Sequence, residues 1–381
     1  MYIHQNRLAP IARLFWSATL QVVKLIAAAK LLPDDAQRVA LLAPMERGNA
    51  ACAWLAGEAF AAQTADKYRL HGDHYRTLRE KFSLSAQMAV RVIAKVCDAY
   101  KRDKSKRPTF DPHGAVPYDQ RILSFKAMDR VSILTLDGRT LIPYVAGDYH
   151  RARLDGVRGQ SDLVLRDGQW YLFVTVDVPD GAPVTPTGTL GVDLGIRNLA
   201  TDSDGERHSG AVIEVVRQRF AKHKASLQKC GTKSAKRRLK KIAGKEARFR
   251  SDVNHTIAKH IVAKAQGTGR QIALENLKGI RDRITVRHTQ RSTHHGWAFF
   301  QMRAFIEYKA RLAGVPVVAV DPRNTSRTCP QCGHCDKANR KSQSEFVCKS
   351  CGFAGHADVV GAVNIARRAP VNAPIVADVE A

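Results

Sequence analysis

The chain has 381 residues and a formal net charge of +26, from 61 Lys or Arg against 35 Asp or Glu. At roughly 150 residues per domain this suggests two or three domains, and 44% hydrophobic with 7% aromatic residues excludes a disordered basic tail. The charge calls for a polyanionic partner, most simply nucleic acid, held mainly by the second half: residues 1–200 carry 27 bases and 20 acids, residues 201–381 carry 34 and 15.

Residues 1–19 show no clear period. Leu14–Leu32 is the most apolar window, but Gln21, Lys24 and Lys30 interrupt it, so it predicts no membrane span. No signal peptide is read, and unpaired cysteines place the protein in the cytoplasm. Leu20–Leu32 reads as a strand or short helix ending at Pro33. Asp34 and Asp35 then cap a helix carrying Val39, Leu41, Leu42 and Met45. Alanine-rich helical pattern continues over Ala50–Ala62 and Ser85–Tyr100, and the basic run Lys101–Arg107, ending at Pro108, reads as a linker.

Beyond Pro108 the period changes to two. Val131–Leu136 and Thr140–Val145 predict a hairpin about Asp137-Gly138, and Leu163–Leu165 with Trp170–Val178 a second about Asp167-Gly168. A small antiparallel barrel, closed by the loop Pro179–Pro183, is the natural reading. From Thr189 the pattern is α/β. Strands are expected at Leu190–Leu194, Leu199–Thr201 and around His208–Ile213. A basic helical stretch Val215–Arg250, a helix Asn254–Ala265 and a buried strand Gln271–Leu274 follow. An amphipathic helix Trp297–Leu312, with Trp297, Phe300, Phe305, Ile306 and Leu312 on spaced positions, stops at Gly314 before the strand Val315–Val320. Three hairpin-linked strands followed by helix, strand, helix and strand have an RNase H-type layout.

Five of the eight cysteines lie between Cys329 and Cys351. Cys329 with Cys332 and Cys348 with Cys351 form two CxxC knuckles, fifteen residues apart. Two knuckles complete a closed tetrahedral zinc site, structural because no position stays open. Gly333 and Gly352 follow each second thiolate, where the backbone turns tightly. Cys335, His334 and His356 are spare candidates.

Three carboxylates form the second constellation. Asp193 sits in the apolar strand Leu190–Gly195, Glu275 directly follows Ile272-Ala273-Leu274, and Asp358 opens a helix Asp358–Arg368. Acids are seldom placed in apolar strands unless paired or bound to metal. Converging on one sheet, the three could hold two divalent ions about 4 Å apart for phosphodiester cleavage, and oxygen ligands suit Mg²⁺ or Mn²⁺. Singly, Asp358 also reads as a helix cap and Asp193 as a strand-end turn. Asp202 and Asp204 read as turn residues and Asp321 as structural. Residues 217–250 hold 14 Lys or Arg and one acid, Glu246. Arg237, Arg238, Lys240, Lys241, Arg248 and Arg250 in this run fit phosphate contacts to a nucleic acid, which the family resemblance below makes a guide or heteroduplex, better than a solvated face, which normally mixes signs.

The segments Gly191-Val192-Asp193-Leu194-Gly195-Ile196, Leu274-Glu275-Asn276-Leu277, Asn324 to Gly333 and Asp358 with Asn364-Ile365 occur in that order. Together they resemble the RuvC-type core and zinc ribbon of the TnpB family, encoded by insertion sequences and related to compact type V CRISPR effectors. Lys309 in Glu307-Tyr308-Lys309-Ala310 also fits. The resemblance is specific over Thr189–Arg368; in residues 1–186 it is one of layout only. It implies an α+β multidomain protein: an N-terminal extension at 1–19, a wedge-type β-barrel at 20–33 and 104–186, a helical recognition insert at 34–103, a RuvC-like nuclease domain at 187–325 and 354–370, a zinc ribbon at 326–353 and a tail at 371–381. The implied activity is RNA-guided cleavage of double-stranded DNA beside a short adjacent motif, with guide RNA and target DNA as partners. Asp193, Glu275 and Asp358 become the catalytic metal ligands, and Cys329, Cys332, Cys348 and Cys351 the zinc ligands. Two departures are Val360, where the family often has Asn, and the extra thiol Cys335. Rival readings are a CRISPR-associated effector with the same core, an RNA-guided repressor that does not cut, and a DNA-strand transferase using the same acids.

Overall fold

Asp34 separates the first strand from the first helix. Its side chain accepts from the Gln37 amide at 2.8 Å while the Gln37 side chain accepts from the Asp34 amide at 3.1 Å, a reciprocal cap. The computed structural model describes residues 22–154, 157–276 and 299–369. The expected extension 1–19, the strand start at Leu20, Trp297 and the tail 371–381 lie outside the described residues. The chain divides after Pro179 into two units.

In the first unit, β1 (Val22–Leu31) turns Val23, Ala27, Ala29 and Leu31 into the core. Helix α1 (Asp35–Ala61) runs unbroken through Pro44, so the segments expected at 34–45 and 50–62 are one helix. Helices α2 (Lys67–Phe82) and α3 (Ala86–Tyr100) follow. The sequence reading did not include α2, because only Leu70 and Leu78 of its sixteen residues are buried. Strands β2 (Val116–Tyr118), β3 (Leu123–Lys126), β4 (Arg130–Leu134) and β5 (Arg139–Val145), the short helix α4 (Asp148–Leu154), and strands β6 (Val157–Arg166) and β7 (Gln169–Pro179) complete the unit. Both expected hairpins are present. The seven strands pair antiparallel in the order β2-β6-β7-β1-β5-β4-β3. The Tyr118 hydroxyl on β2 donates to the Leu134 carbonyl on β4 at 3.2 Å, so the sheet curls until its ends approach.

The second unit is built on β8 (Gly188–Asp193), β9 (Asn198–Asp202), β10 (Arg207–Ser209), β11 (Arg270–Glu275) and β12 (Val317–Val320), in the order β10-β9-β8-β11-β12. The first three are antiparallel, and β8, β11 and β12 run parallel. The third strand is shorter than expected: Ala211–Ile213 already belong to helix α5 (Ala211–Cys230), which Gly210 precedes as N-cap. The basic stretch is not one helix either. Gly231, at φ +63°, ends α5, and Thr232 starts α6 (Lys233–Gly267) by accepting from the Ala235 amide at 3.1 Å. The helix expected at Asn254–Ala265 is the second half of α6. Helix α7 (Phe299–Ala313) buries Met302, Ile306 and Ala310, while Phe300, expected inward, is 46% exposed.

The cysteine segment carries β13 (Glu345–Val347) and β14 (Ala354–His356), and α8 (Ala357–Arg368) follows. A Cβ on Gly191 of β8 would stand 2.1 Å from the Ala362 carbonyl oxygen of α8. Only glycine allows α8 to lie this close to the strand. Among the described residues no helix is long and apolar enough to cross a membrane.

Candidate metal centres

The two cysteine knuckles are built alike. Gly333 and Gly352, at φ +74° and +73°, turn the backbone so that their amides donate to the carbonyls of Cys329 and Cys348 at 3.0 and 3.1 Å. The turns bring Cys329 Sγ within 3.6 Å of Cys351 Sγ and Cys332 Sγ within 3.5 Å of Cys348 Sγ. All four sulfurs lie within 4.8 Å of one another. A disulfide needs about 2.05 Å. Thiolates about 2.3 Å from one tetrahedral ion stand about 3.8 Å apart, so the donor set fits a zinc-sized ion. The amides of Cys351 and Ser350 donate to Cys348 Sγ and help hold its thiol down to about 6. Of the spare candidates, Cys335 pairs its backbone with Thr328, and His356 caps α8 by accepting from the Asp358 amide. None of Cys335, His334 or His356 joins the cluster.

The carboxylates are assembled by strand register. Val192 stands beside Leu274 in parallel pairing, so the next step along both strands sets Asp193 beside Glu275. Asp358 arrives on the first turn of α8. A Cβ on Gly361, in the same helix, would lie 3.2 Å from Asp193 Oδ2, so the helix backbone passes directly over that carboxylate. Asp193 keeps some solvent contact as a residue, yet burial, followed by the charges of Glu275 and Asp358, pushes its carboxyl up to about 7. Burial also raises Glu275, opposed by the Thr325 hydroxyl, which donates to Oε1 at 2.5 Å. Asp358 accepts from Asn198 Nδ2 at 2.9 Å and from Arg340 at 3.4 Å. A buried carboxylate such as Asp193, raised by burial and by two neighbouring acids, gains from a divalent cation, and an all-oxygen donor set suits Mg²⁺ or Mn²⁺.

Arg340 and Asn198 escaped the sequence reading. Arg340 lies among Lys337, Lys341 and other surface charges of the cysteine segment, and Asn198 opens a strand with no motif around it. Their signal is purely spatial. The other acids have local partners. Asp202 accepts from the amides of Asp204 and Glu206 and pairs with Lys264; Asp204 pairs with Arg270; Asp321 accepts from the Arg323 amide. In the basic run, Arg237, Arg238, Lys240, Lys241 and Arg248 are exposed on α6 and Arg250 is half-buried. Glu246 in the same run is taken up by an ion pair with Lys224.

Residues 173–280 match a family model described as "Probable transposase", and residues 299–365 match the TNB domain of Cas12f1-like proteins. The CRISPR-associated endodeoxyribonuclease Cas12f1 of Syntrophomonas palmitatica is 33% identical over 49% of this chain and 40% of its own length. A TnpB-like protein of Methanocaldococcus jannaschii is 29% identical over 46% of this chain and 67% of its own. InsQ of Escherichia coli K12, named as a candidate RNA-guided DNA endonuclease, is 26% identical over 76% and 75% of the two chains. The chain spans half or less of the length of the two Cas12f1 relatives it matches at 33% and 31% identity. In fold it is similar to Cas12f1 in a complex with single-guide RNA and target DNA, with a TM-score of 0.55, 16% identity, and coverage of 87% of this chain and 83% of that one.

The raised carboxyl of Asp193 makes a prediction about stability. Its folded value, near 7, exceeds the unfolded value near 3.9, so the folded state binds the extra proton between these limits. Stability in magnesium-free buffer is therefore highest below about pH 4 from this group and falls as pH rises to about 7, by up to about 4 kcal/mol. Asp193→Asn should flatten that decline and exceed the parent in stability above pH 7. Urea denaturation across pH checks this; parallel pH profiles for the two proteins would contradict it.

Proposed function

We propose that the chain, similar to TnpB-like and Cas12f1 proteins, is an RNA-guided DNA endonuclease that cuts double-stranded DNA next to a short adjacent motif. One observation supports the reading: Asp193 stands at a strand end beside Glu275 and under the helix that carries Asp358, and feels the charge of both. These three would hold Mg²⁺ or Mn²⁺, and Cys329, Cys332, Cys348 and Cys351 would hold one structural zinc. Bound divalent ions lower the pKa of water and offset charge on the leaving oxygen of a phosphodiester. Asn198 fixes the Asp358 carboxylate through its hydrogen bond, and Arg340 places a guanidinium beside the same acids, where a phosphate would need positive charge. The exposed bases of α6 track nucleic-acid backbone without reading sequence. In this reading the second unit is an RNase H-like (RuvC) domain carrying a zinc ribbon. The curled sheet of the first unit is a wedge-type barrel with α1–α3 as its recognition insert, and the protein works in the cytoplasm.

Asp193→Ala, Glu275→Gln and Asp358→Ala should each abolish cutting of a guide-matched duplex, because a metal pair lacking one ligand stabilises the reacting oxygens poorly. Guide-directed binding should survive in all three, since affinity comes from base pairing and basic side chains. Mg²⁺ or Mn²⁺ should support cleavage and Ca²⁺ should not. Normal cutting by Asp193→Ala sinks the assignment; a parent protein that binds its target but never cuts is a repressor, and strand-transfer products would mark a transferase.

Metal analysis should return about one zinc per chain, and Cys348→Ser should lower zinc content together with cleavage. A zinc-free protein with full activity would remove the role of the cysteine cluster.

Replacing Arg237, Arg238, Lys240 and Lys241 with Ala should weaken nucleic-acid binding across all sequences. The log–log salt slope should flatten by about 0.7–0.9 per lost phosphate contact. An unchanged slope would make the run an ordinary solvated face.

A further inference from the structure

Thr325 lies in the link between β12 and the first cysteine knuckle, outside any helix or strand. It is 4% exposed, and its hydroxyl points at Glu275 Oε1, 2.5 Å away, with the Pro322 carbonyl at 3.1 Å. The link is anchored from α8. Asn364, 6% exposed, donates through Nδ2 to the carbonyls of both Thr325 and Thr328 at 2.7 Å. Cys329 follows Thr328 directly, and Asn324 before Thr325 is held at φ +62°. Hydrogen bonds thus run from α8 through Asn364 and Thr325 to Glu275, and the cysteine knuckle is joined covalently to the middle of the chain.

A glutamate has three side-chain torsions, and the last is broad. Strand β11 fixes the Cα of Glu275 but not the direction of its oxygens. Arg303 donates to the Glu275 backbone carbonyl at 2.9 Å, which holds the strand end and leaves the carboxylate free to turn. Among the described residues the Thr325 hydroxyl donates to that carboxylate and so favours one orientation, with the charges of Arg368 and Asp321 also acting on it. Partners of this kind around a metal-holding carboxylate are worth about 10–100-fold in metal affinity.

We propose that Thr325 is a positioning residue for Glu275 and that the cysteine knuckle acts on the carboxylate site through it. The inference rests on reading the three carboxylates as ligands of a divalent ion. It gives the cysteine segment a task beyond its own folding: loss of the ion between the knuckles would slacken Asn324–Cys329, and Glu275 would lose its orientation while remaining in place on β11.

The test is Mn²⁺ alone, titrated into the full chain and followed by the paramagnetic resonance of free Mn²⁺, with zinc content measured in parallel. Thr325→Val, which keeps the shape and removes the hydroxyl, should weaken Mn²⁺ binding about 10–100-fold. Thr325→Ser should restore it, with zinc content unchanged in both. Cys348→Ser should weaken Mn²⁺ binding in the parent, and by less on top of Thr325→Val than alone, because the two changes share the Thr325 contact while Cys348→Ser also loosens Arg340 against Asp358. Equal affinity of the parent and Thr325→Val overturns the proposal. Failure of Thr325→Ser to restore binding also overturns it, and so does loss of zinc from Thr325→Val, which would make the hydroxyl a support of the knuckle. Mn²⁺ binding by the parent that Glu275→Gln leaves untouched would instead overturn the carboxylate reading beneath it.

Discussion

Two acids set side by side at the ends of neighbouring strands repel each other, and a third brought over them on a helix adds to the repulsion. Much of the second unit serves to hold that arrangement. Leu190, Val192, Ile272 and Leu274 are fully buried on β8 and β11, so hydrophobic burial of several side chains fixes the register that puts Asp193 beside Glu275. The register cannot slip by one residue without turning those side chains to the opposite face, where the α8 backbone leaves room only for Gly191. The third acid depends on Gly191, since any side chain there would push α8 away and Asp358 with it. The raised carboxyl of Asp193 shows the cost of burying an acid and, after that, of setting it near two others, which the apolar core offsets.

The cysteine segment faces a different problem. Its two strands are three residues each, and its core is little more than Cys329, Phe346, Cys348, Ala357 and Val360. A segment this small buries too little apolar surface to order itself and needs a cross-link. Four sulfurs within 4.8 Å of one another could supply it by holding one ion. Once ordered, the segment reaches back to the carboxylates twice, through Thr325 to Glu275 and through Arg340 to Asp358. Two sites with different ligand chemistry are therefore mechanically one.

Sequence legibility followed the range over which each feature is encoded. The cysteine knuckles are local, two residues between thiols and a glycine after them, and the turns form as that spacing requires. Asp193 and Glu275 were legible because an acid ending an apolar strand stands out against its neighbours. Arg340 and Asn198 were not, because nothing near them in sequence distinguishes them; only the fold brings them to Asp358. Helix α2 was missed because it rests on the core through Leu70 and Leu78 and is otherwise polar. The break at Gly231 was missed because basic residues continue on both sides, hiding the end of one helix and the start of the next.

The α5–α6 hairpin follows from the same balance of charge and burial. Helix α5 has no fully buried residue, and Val212 and Val215 near its start are 64% and 67% exposed. Residues 217–250 set fourteen bases against one acid, and that acid, Glu246, is engaged with Lys224 across the hairpin. Like charges three or four residues apart on a helix destabilise it by a few tenths of a kcal/mol per pair. A pair of helices with little core and a one-sided charge is thus poorly stabilised by its own contacts. A phosphate backbone laid along α6 would replace repulsion with attraction at many positions together, so what weakens the hairpin alone is what suits it to a polyanion. The acids of Asp193, Glu275 and Asp358 show the same logic with the sign reversed: both regions concentrate one charge where folding alone would disperse it, and each would be relieved by a partner of the opposite charge.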